Sequence, residues 1–295
     1  MLALIAGRGL LPDHVVEAQA GPVLVAALDG FAPDRLTPDI TFRVERLGSF
    51  IADLTARGVT DICMAGAIGR PALDPAMIDA ATMPMVPRMM QALGQGDDGA
   101  LRVVIALFEE AGFTIRAAQD ICPDLLMAAG IPTRAQPGPQ HEVPARLGAA
   151  TLAELGRRDQ GQACVVRRGD VLAREGADGT DAMLIRLASG QADDPAPDPL
   201  GWGLDALGDA ATGALDWLGG RALPERTGAI LFKGPKPGQD RRVDLPTIGP
   251  GTAMYAADAG LDGIVIAAGG VFVIDLPAVL RILDDKGMFL WVRAA

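Results

Sequence analysis

The sequence predicts an α/β protein: two α/β domains joined by a linker, the N-terminal one with a Rossmann-like parallel sheet. Three observations predict it. Short apolar runs alternate with helical patterns from the first residues onward, as a parallel sheet requires. The length of 295 residues suits two domains. The composition breaks at 131–144, where Ile131-Pro132 and Pro137-Gly138-Pro139 interrupt every period. The domains are therefore placed at 1–130 and 145–295, with 131–144 between them and the segment 233–249 in the second.

Taken in order, Leu2–Ala6 reads as a first strand, followed by the turn Gly7-Arg8-Gly9 and a helix opening near Pro12. Proline suits a first helical turn because its missing N–H has no partner there anyway. Val23–Leu28 is a second buried strand, 49–57 a helix, and 61–67 a third strand running into Gly66. Helical periodicity covers 86–93 and 99–110, and Gly112 stops the latter. Beyond the linker come a helix at 145–157, a hairpin over 163–174 and a helix at 181–187. The stretch 192–220, acidic and proline-rich before it becomes glycine-studded, reads as a surface insertion with weak helix near 215–218. A strand at 229–232, a helix at 252–259 and strands near Ile264 and Val271 follow. A helix at 276–285 and a strand at 289–292 close the chain.

Composition removes several function classes. A net charge of −11 and a pI near 4.6 argue against a nucleic-acid partner, which needs a basic footprint. Eight Phe, three Trp and one Tyr are too few for a base-stacking platform. The odd, dispersed set Cys63, Cys122 and Cys164 reads as reduced core thiols of a cytoplasmic protein. With only His14 and His141, a histidine-rich metal centre is not expected. Chemistry would then run on carboxylates, lysine and arginine, with a hard metal such as Mg²⁺ where one is used. The apolar start is too short for a signal-peptide core. The run from Ile264 to Ile274 spans 11 residues, against about 20 for a membrane helix. A cytoplasmic protein is expected, with a lipid substrate or transient peripheral membrane contact left open.

The strongest local signal is 233–249. Lys233 and Lys236 are two of the chain's three lysines, and with Arg241 and Arg242 they concentrate positive charge in an acidic protein. Proline and glycine preset an extended backbone there, and both cation types suit phosphate oxygens. Asp244, between Val243 and Leu245, is placed to orient a water as general base or to hold Mg²⁺. The other reading is an exposed basic turn, with Asp240 and Asp244 paired to Arg241 and Arg242. In a second motif, 175–184, Glu175, Asp178 and Asp181 can share a hard cation. Equally, Thr180 can cap the following helix while Asp181 complements its positive end. In a third, Gly7 and Gly9 can offer backbone N–H groups to a phosphate. The full dinucleotide fingerprint is absent, however, because Pro12 stands at the third glycine, and a tight strand–helix turn explains the same residues. Asp98 reads as a cap, and Met89-Met90 as packing or the wall of an acyl-chain pocket.

Together these segments resemble the cytoplasmic UDP-2,3-diacylglucosamine pyrophosphatase family of lipid A biosynthesis, in the form unrelated to metallophosphoesterases. The resemblance rests on 5–12, on Ala65-Gly66-Ala67-Ile68-Gly69-Arg70-Pro71, on Gly96-Asp97-Asp98 and on 178–184. It is most specific at 233–249, with Arg242-Val243-Asp244-Leu245-Pro246-Thr247-Ile248-Gly249 intact. Asp178 stands where the family usually has Glu, and Arg8 where Gly is common. The resemblance implies a homodimer that uses a divalent cation, typically Mg²⁺. It also implies water attack on the α-phosphorus, giving UMP and 2,3-diacylglucosamine 1-phosphate, with the essential aspartate at Asp244. Asp178, Asp181 and Asp244 are then the metal candidates. Gly7, Gly9, Thr180, Lys233, Lys236, Gln239, Arg242 and Thr247 are the substrate-binding ones. The alternatives are a non-catalytic nucleotide- or lipid-binding protein and a nucleotide-dependent oxidoreductase.

Overall fold

A computed structural model describes residues 1–69, 71–93, 97–158, 160–190 and 228–294. The expected insertion at 192–220 lies outside the described residues. The chain forms two compact units, Met1–Leu126 with Gly238–Leu245, and Met127–Pro237 with Pro246–Ala295.

In the first unit, β1 (Leu2–Ala6), β2 (Val23–Leu28), β3 (Ile40–Phe42), β4 (Asp61–Ala65) and β5 (Thr114–Ile115) form one sheet. Its order is β3-β2-β1-β4-β5 and every pairing is parallel, the Rossmann-like arrangement expected. β1 is buried along its whole length, which is why it reads as an unbroken apolar run instead of an alternating one. The helices α1 (Leu11–Ala18), α2 (Leu47–Ala56), α3 (Val86–Leu93), α4 (Asp97–Glu110) and α5 (Ala118–Ile121) connect the strands. Leu47, Phe50, Ile51 and Leu54 bury one stripe of α2 at helical spacing. Phe50 stacks on Phe42 with centroids 4.0 Å apart and meets Phe108 of α4 edge-on at 6.3 Å. The sheet edges are very short strands, which limits pairing with another chain. Cys63 sits in the core, where burial pushes its thiol up to about 12, and all three cysteines are free and buried.

The second unit is built on a mixed sheet ordered β12-β10-β8-β6-β7. β8 (Ala229–Lys233), β10 (Gly263–Ala267) and β12 (Phe289–Arg293) are parallel. β6 (Ala163–Arg167) runs antiparallel to β8 and forms the expected hairpin with β7 (Asp170–Arg174). β9 (Thr247–Ile248) and β11 (Phe272–Val273) make a small parallel pair. α6 (Glu142–Arg157) packs on one face of the sheet, where Gly148 lets Phe232 approach the helix backbone. On the other face lie α7 (Gly179–Ala188), α8 (Pro250–Asp258) and α9 (Leu276–Asp285). Among the described residues no helix is long and apolar enough to cross a membrane.

The segment 131–144, expected as a linker, belongs instead to the second unit. Side chains tie it down. The Leu290 N–H donates to Thr133 Oγ1 at 2.9 Å, and the Arg134 N–H donates to Asp284 at 2.8 Å. His141 is buried. It accepts from the Gly138 N–H at Nδ1, so its Nε2 carries the proton and donates to Asp262 at 2.9 Å. Pro144 lies in the first turn of α6 instead of ahead of it.

Candidate functional site

Strand β8 alternates cleanly. Ala229 and Leu231 face the core beneath α7, α8 and α9, while Ile230 and Phe232 face α6. A period of two places the next side chain, Lys233, on the first of these faces. A cation therefore occupies a pleat position where its neighbours are apolar, and only 7% of Lys233 is exposed. Its Nζ donates to Thr180 Oγ1 at 2.7 Å. Burial pushes the Lys233 ammonium below the usual lysine range, with Glu175 and Asp181 opposing that shift as nearby negative charges.

Thr180 does not cap its helix. α7 begins at Gly179, which has a positive φ of 88°, and Thr180 lies inside the first turn. Its hydroxyl donates to Glu175, whose other carboxylate oxygen accepts the Gln162 N–H. Asp181 accepts from Thr252 Oγ1, in the first turn of α8, at 3.0 Å. Asp178 points elsewhere, to Arg186. The motif 175–184 thus supplies Thr180 and Glu175 to a polar chain from Lys233, with Lys233 and Thr180 buried and Glu175 half-buried, and not three carboxylates converging on one point. Glu175 is the residue that sequence reasoning left off the site. Its signal was present in the three carboxylates within seven residues, but spacing does not tell which one turns inward.

The segment 233–249 is divided between the units. Lys233 to Pro237 lie in the second, and Pro235 and Pro237 pack against Gly270 and Gly156. Lys236 is partly buried, with its Cβ beside Gly156 of α6. Gly238–Leu245 belongs to the first unit. There Val243 packs on the core, and Gln119 Nε2 donates to the Arg241 carbonyl at 2.9 Å. Arg242 donates to Asp240 at 2.7 Å and to Glu109 at 2.7 Å, so the local pairing read for an exposed basic turn is present at this residue. Arg242 holds the Asp240 carboxyl below the usual range, and the two acids hold the guanidinium's pKa up. Gln239, buried, donates through Nε2 to Asp244, which is half-buried. Thr247 returns to the second unit as the first residue of β9, opposite Phe272.

At the first strand's end, Gly7 is required by a close approach. A Cβ there would lie 2.5 Å from the Ala67 carbonyl oxygen. Gly9 has φ 95°, and its N–H already donates to Asp34 at 2.7 Å. Beside this turn, at the carboxyl ends of β2 and β3, a cavity of about 300 Å³ is lined by Asp29, Phe31, Arg43, Glu45 and Pro71. Ligand sites of α/β sheets lie at such strand ends. Arg43 donates to Glu45 at 3.0 Å and holds that buried carboxyl down at about 2. Among the described residues, no group of three His, Cys, Asp or Glu side chains comes together as a metal cage. Asp178, Asp181 and Asp244 are each engaged separately.

Comparison with known proteins now adds the lineage. Residues 1–125 match the LpxI N-terminal domain and residues 128–291 the LpxI C-terminal domain. The chain is 36% identical to the UDP-2,3-diacylglucosamine pyrophosphatase LpxI of Caulobacter vibrioides, over 98% of this chain and 96% of that protein. With both domains matched in order and the similarity running end to end, the chain belongs to the LpxI family.

Proposed function

We propose that this protein hydrolyses the pyrophosphate bond of UDP-2,3-diacylglucosamine, releasing UMP and 2,3-diacylglucosamine 1-phosphate. The observation that carries the reading is the 36% identity along nearly the whole of both chains. The chemistry at 233–249 supports it. Pyrophosphate cleavage needs cations on phosphate oxygens and a group that orients and deprotonates water. Lys233, anchored by Thr180, and Lys236 after Pro235 are the proposed phosphate contacts. Asp244 is the proposed general base, one of its oxygens held by Gln239. Arg242, committed to Asp240 and Glu109, serves the reaction by fixing the loop that carries Asp244.

A divalent cation, typically Mg²⁺, belongs to the same proposal. The residues fit a cation of this kind only in its usual nucleotide setting, with one or two carboxylates and the remaining ligands from phosphates and water. Asp181 or Asp244 is the carboxylate suited to that role, each considered within its own unit, and the Arg186 pairing makes Asp178 the least suited. When bound, the cation neutralises charge on the phosphates. A homodimer in the cytoplasm, with transient contact to the membrane that holds its lipid, completes the reading.

The test is release of UMP from UDP-2,3-diacylglucosamine by the full chain, with and without Mg²⁺. Protein that binds this substrate yet releases no UMP points to a non-catalytic binder. In ¹⁸O-labelled water, label in UMP marks the expected attack at the α-phosphorus, and label in the lipid phosphate marks attack at the β-phosphorus.

A further inference from the structure

Lys233, the proposed phosphate contact, needs a group that aims its ammonium. We infer that Glu175 is the positioning residue for Lys233, acting through the Thr180 hydroxyl. This inference rests on the hydrolase reading. The direction of the chain follows from donor arithmetic. A lysine ammonium only donates and a carboxylate only accepts, whereas a threonine hydroxyl has a single proton. Thr180 spends that proton on Glu175, so its lone pairs face Lys233 Nζ, which donates at 2.7 Å. The second Glu175 oxygen takes the Gln162 N–H, which fixes the carboxylate to backbone beside β6.

This arrangement leaves a buried ammonium with three N–H donors and one hydrogen-bond acceptor among the described residues. Buried donors are rarely left unmet, because stripping them of water costs free energy that a partner must offset. The two remaining N–H groups of Lys233 are therefore suited to oxygens of an incoming phosphate at the carboxyl end of β8. Glu175 sets their direction by pinning the third. It also supplies a negative charge that opposes the downward shift burial imposes on the Lys233 ammonium.

The test is a double-mutant cycle on the full chain, read as UMP release from UDP-2,3-diacylglucosamine alongside melting temperature. Lys233→Met places an apolar side chain at a pleat position whose strand neighbours are apolar, and its melting temperature checks that the variant is folded. Alone, Glu175→Gln should lower kcat by about 10–100-fold, the scale of a misplaced group, with KM moving far less. In the Lys233→Met background the same change should cost under about threefold, since its target is gone. An equal loss in both backgrounds would assign Glu175 a merely structural role and overturn the inference. Should Glu175→Gln unfold the protein, Thr180→Val and Thr180→Ser carry the test. Val should match the Glu175→Gln loss, and Ser should retain activity within about threefold of wild type. Wild-type activity in Thr180→Val would overturn the inference. Wild-type protein that releases no UMP overturns the hydrolase reading itself, which separates the two failures.

Discussion

Lys233 and Asp244 stand eleven positions apart in one motif, yet the protein holds them by opposite means. The lysine is placed by a strand: the pleat of β8 turns it inward, a helix covers it, and a hydroxyl and a carboxylate meet its charge. The aspartate is placed by a loop of the other unit, half-buried and held by Gln239, two residues after Arg242, which pairs with Glu109 and Asp240. A buried cation is fixed by the fold and is expensive to leave unpartnered. A half-buried carboxylate keeps access to water, which the proposed base needs. On the proposed roles, the contrast separates a group that grips phosphate from a group that reacts.

Removing the proposed base should have the largest effect. Asp244→Ala should lower kcat by about 10²–10⁴-fold, the range for loss of a general base, with the melting temperature nearly unchanged. Comparable losses of stability and activity would place Asp244 among the structural residues. Chelation comes next. EDTA should silence the wild type and Mg²⁺ should restore it, whereas undiminished turnover in EDTA would leave Asp244 to work without a cation. Arg242→Ala then tests the loop's anchorage. Because the guanidinium is partly exposed, its pairs should contribute about 1 kcal/mol or less to stability, while UMP release falls as Asp244 loses its frame. A large drop in stability with unchanged turnover would reverse that assignment.

The smallest effect is a pH dependence. Asp240 has its folded pKa depressed, chiefly by its hydrogen bond to Arg242. Its contribution to stability is therefore fully present above the unfolded value near 3.8 and is lost as pH falls through the lower folded value. An acid titration of thermal stability should show a shallower decline below that point in Arg242→Ala than in wild type. Identical slopes would remove the pair from the account.

Much of this fold was legible because local physics wrote it. The helices at 86–93 and 276–285 have apolar periodicity and a proline in the first turn, and both are found at those residues. The fully apolar β1 announced a central parallel strand. Edge strands such as β5, two residues long, carry too little pattern to be read. The segment 131–144 misled because proline and glycine mark irregular backbone whether or not it is packed. Its anchors, Asp262 for His141 and Leu290 for Thr133, lie more than a hundred positions away. Thr180 misled for a similar reason. A threonine at a helix start suits a cap, and only β8, brought alongside by the sheet, shows that its hydroxyl serves Lys233 instead. Glu175 was visible as charge but not as direction.

The proposed reaction is pyrophosphate hydrolysis served by Lys233 and Asp244. Its most direct test is to incubate the wild-type chain and Asp244→Ala with UDP-2,3-diacylglucosamine and Mg²⁺, and to quantify both products. UMP and 2,3-diacylglucosamine 1-phosphate are expected in equal amounts from the wild type, with almost none from the variant. Substrate that stays intact with wild-type protein, or is cleaved equally well by the variant, would contradict it.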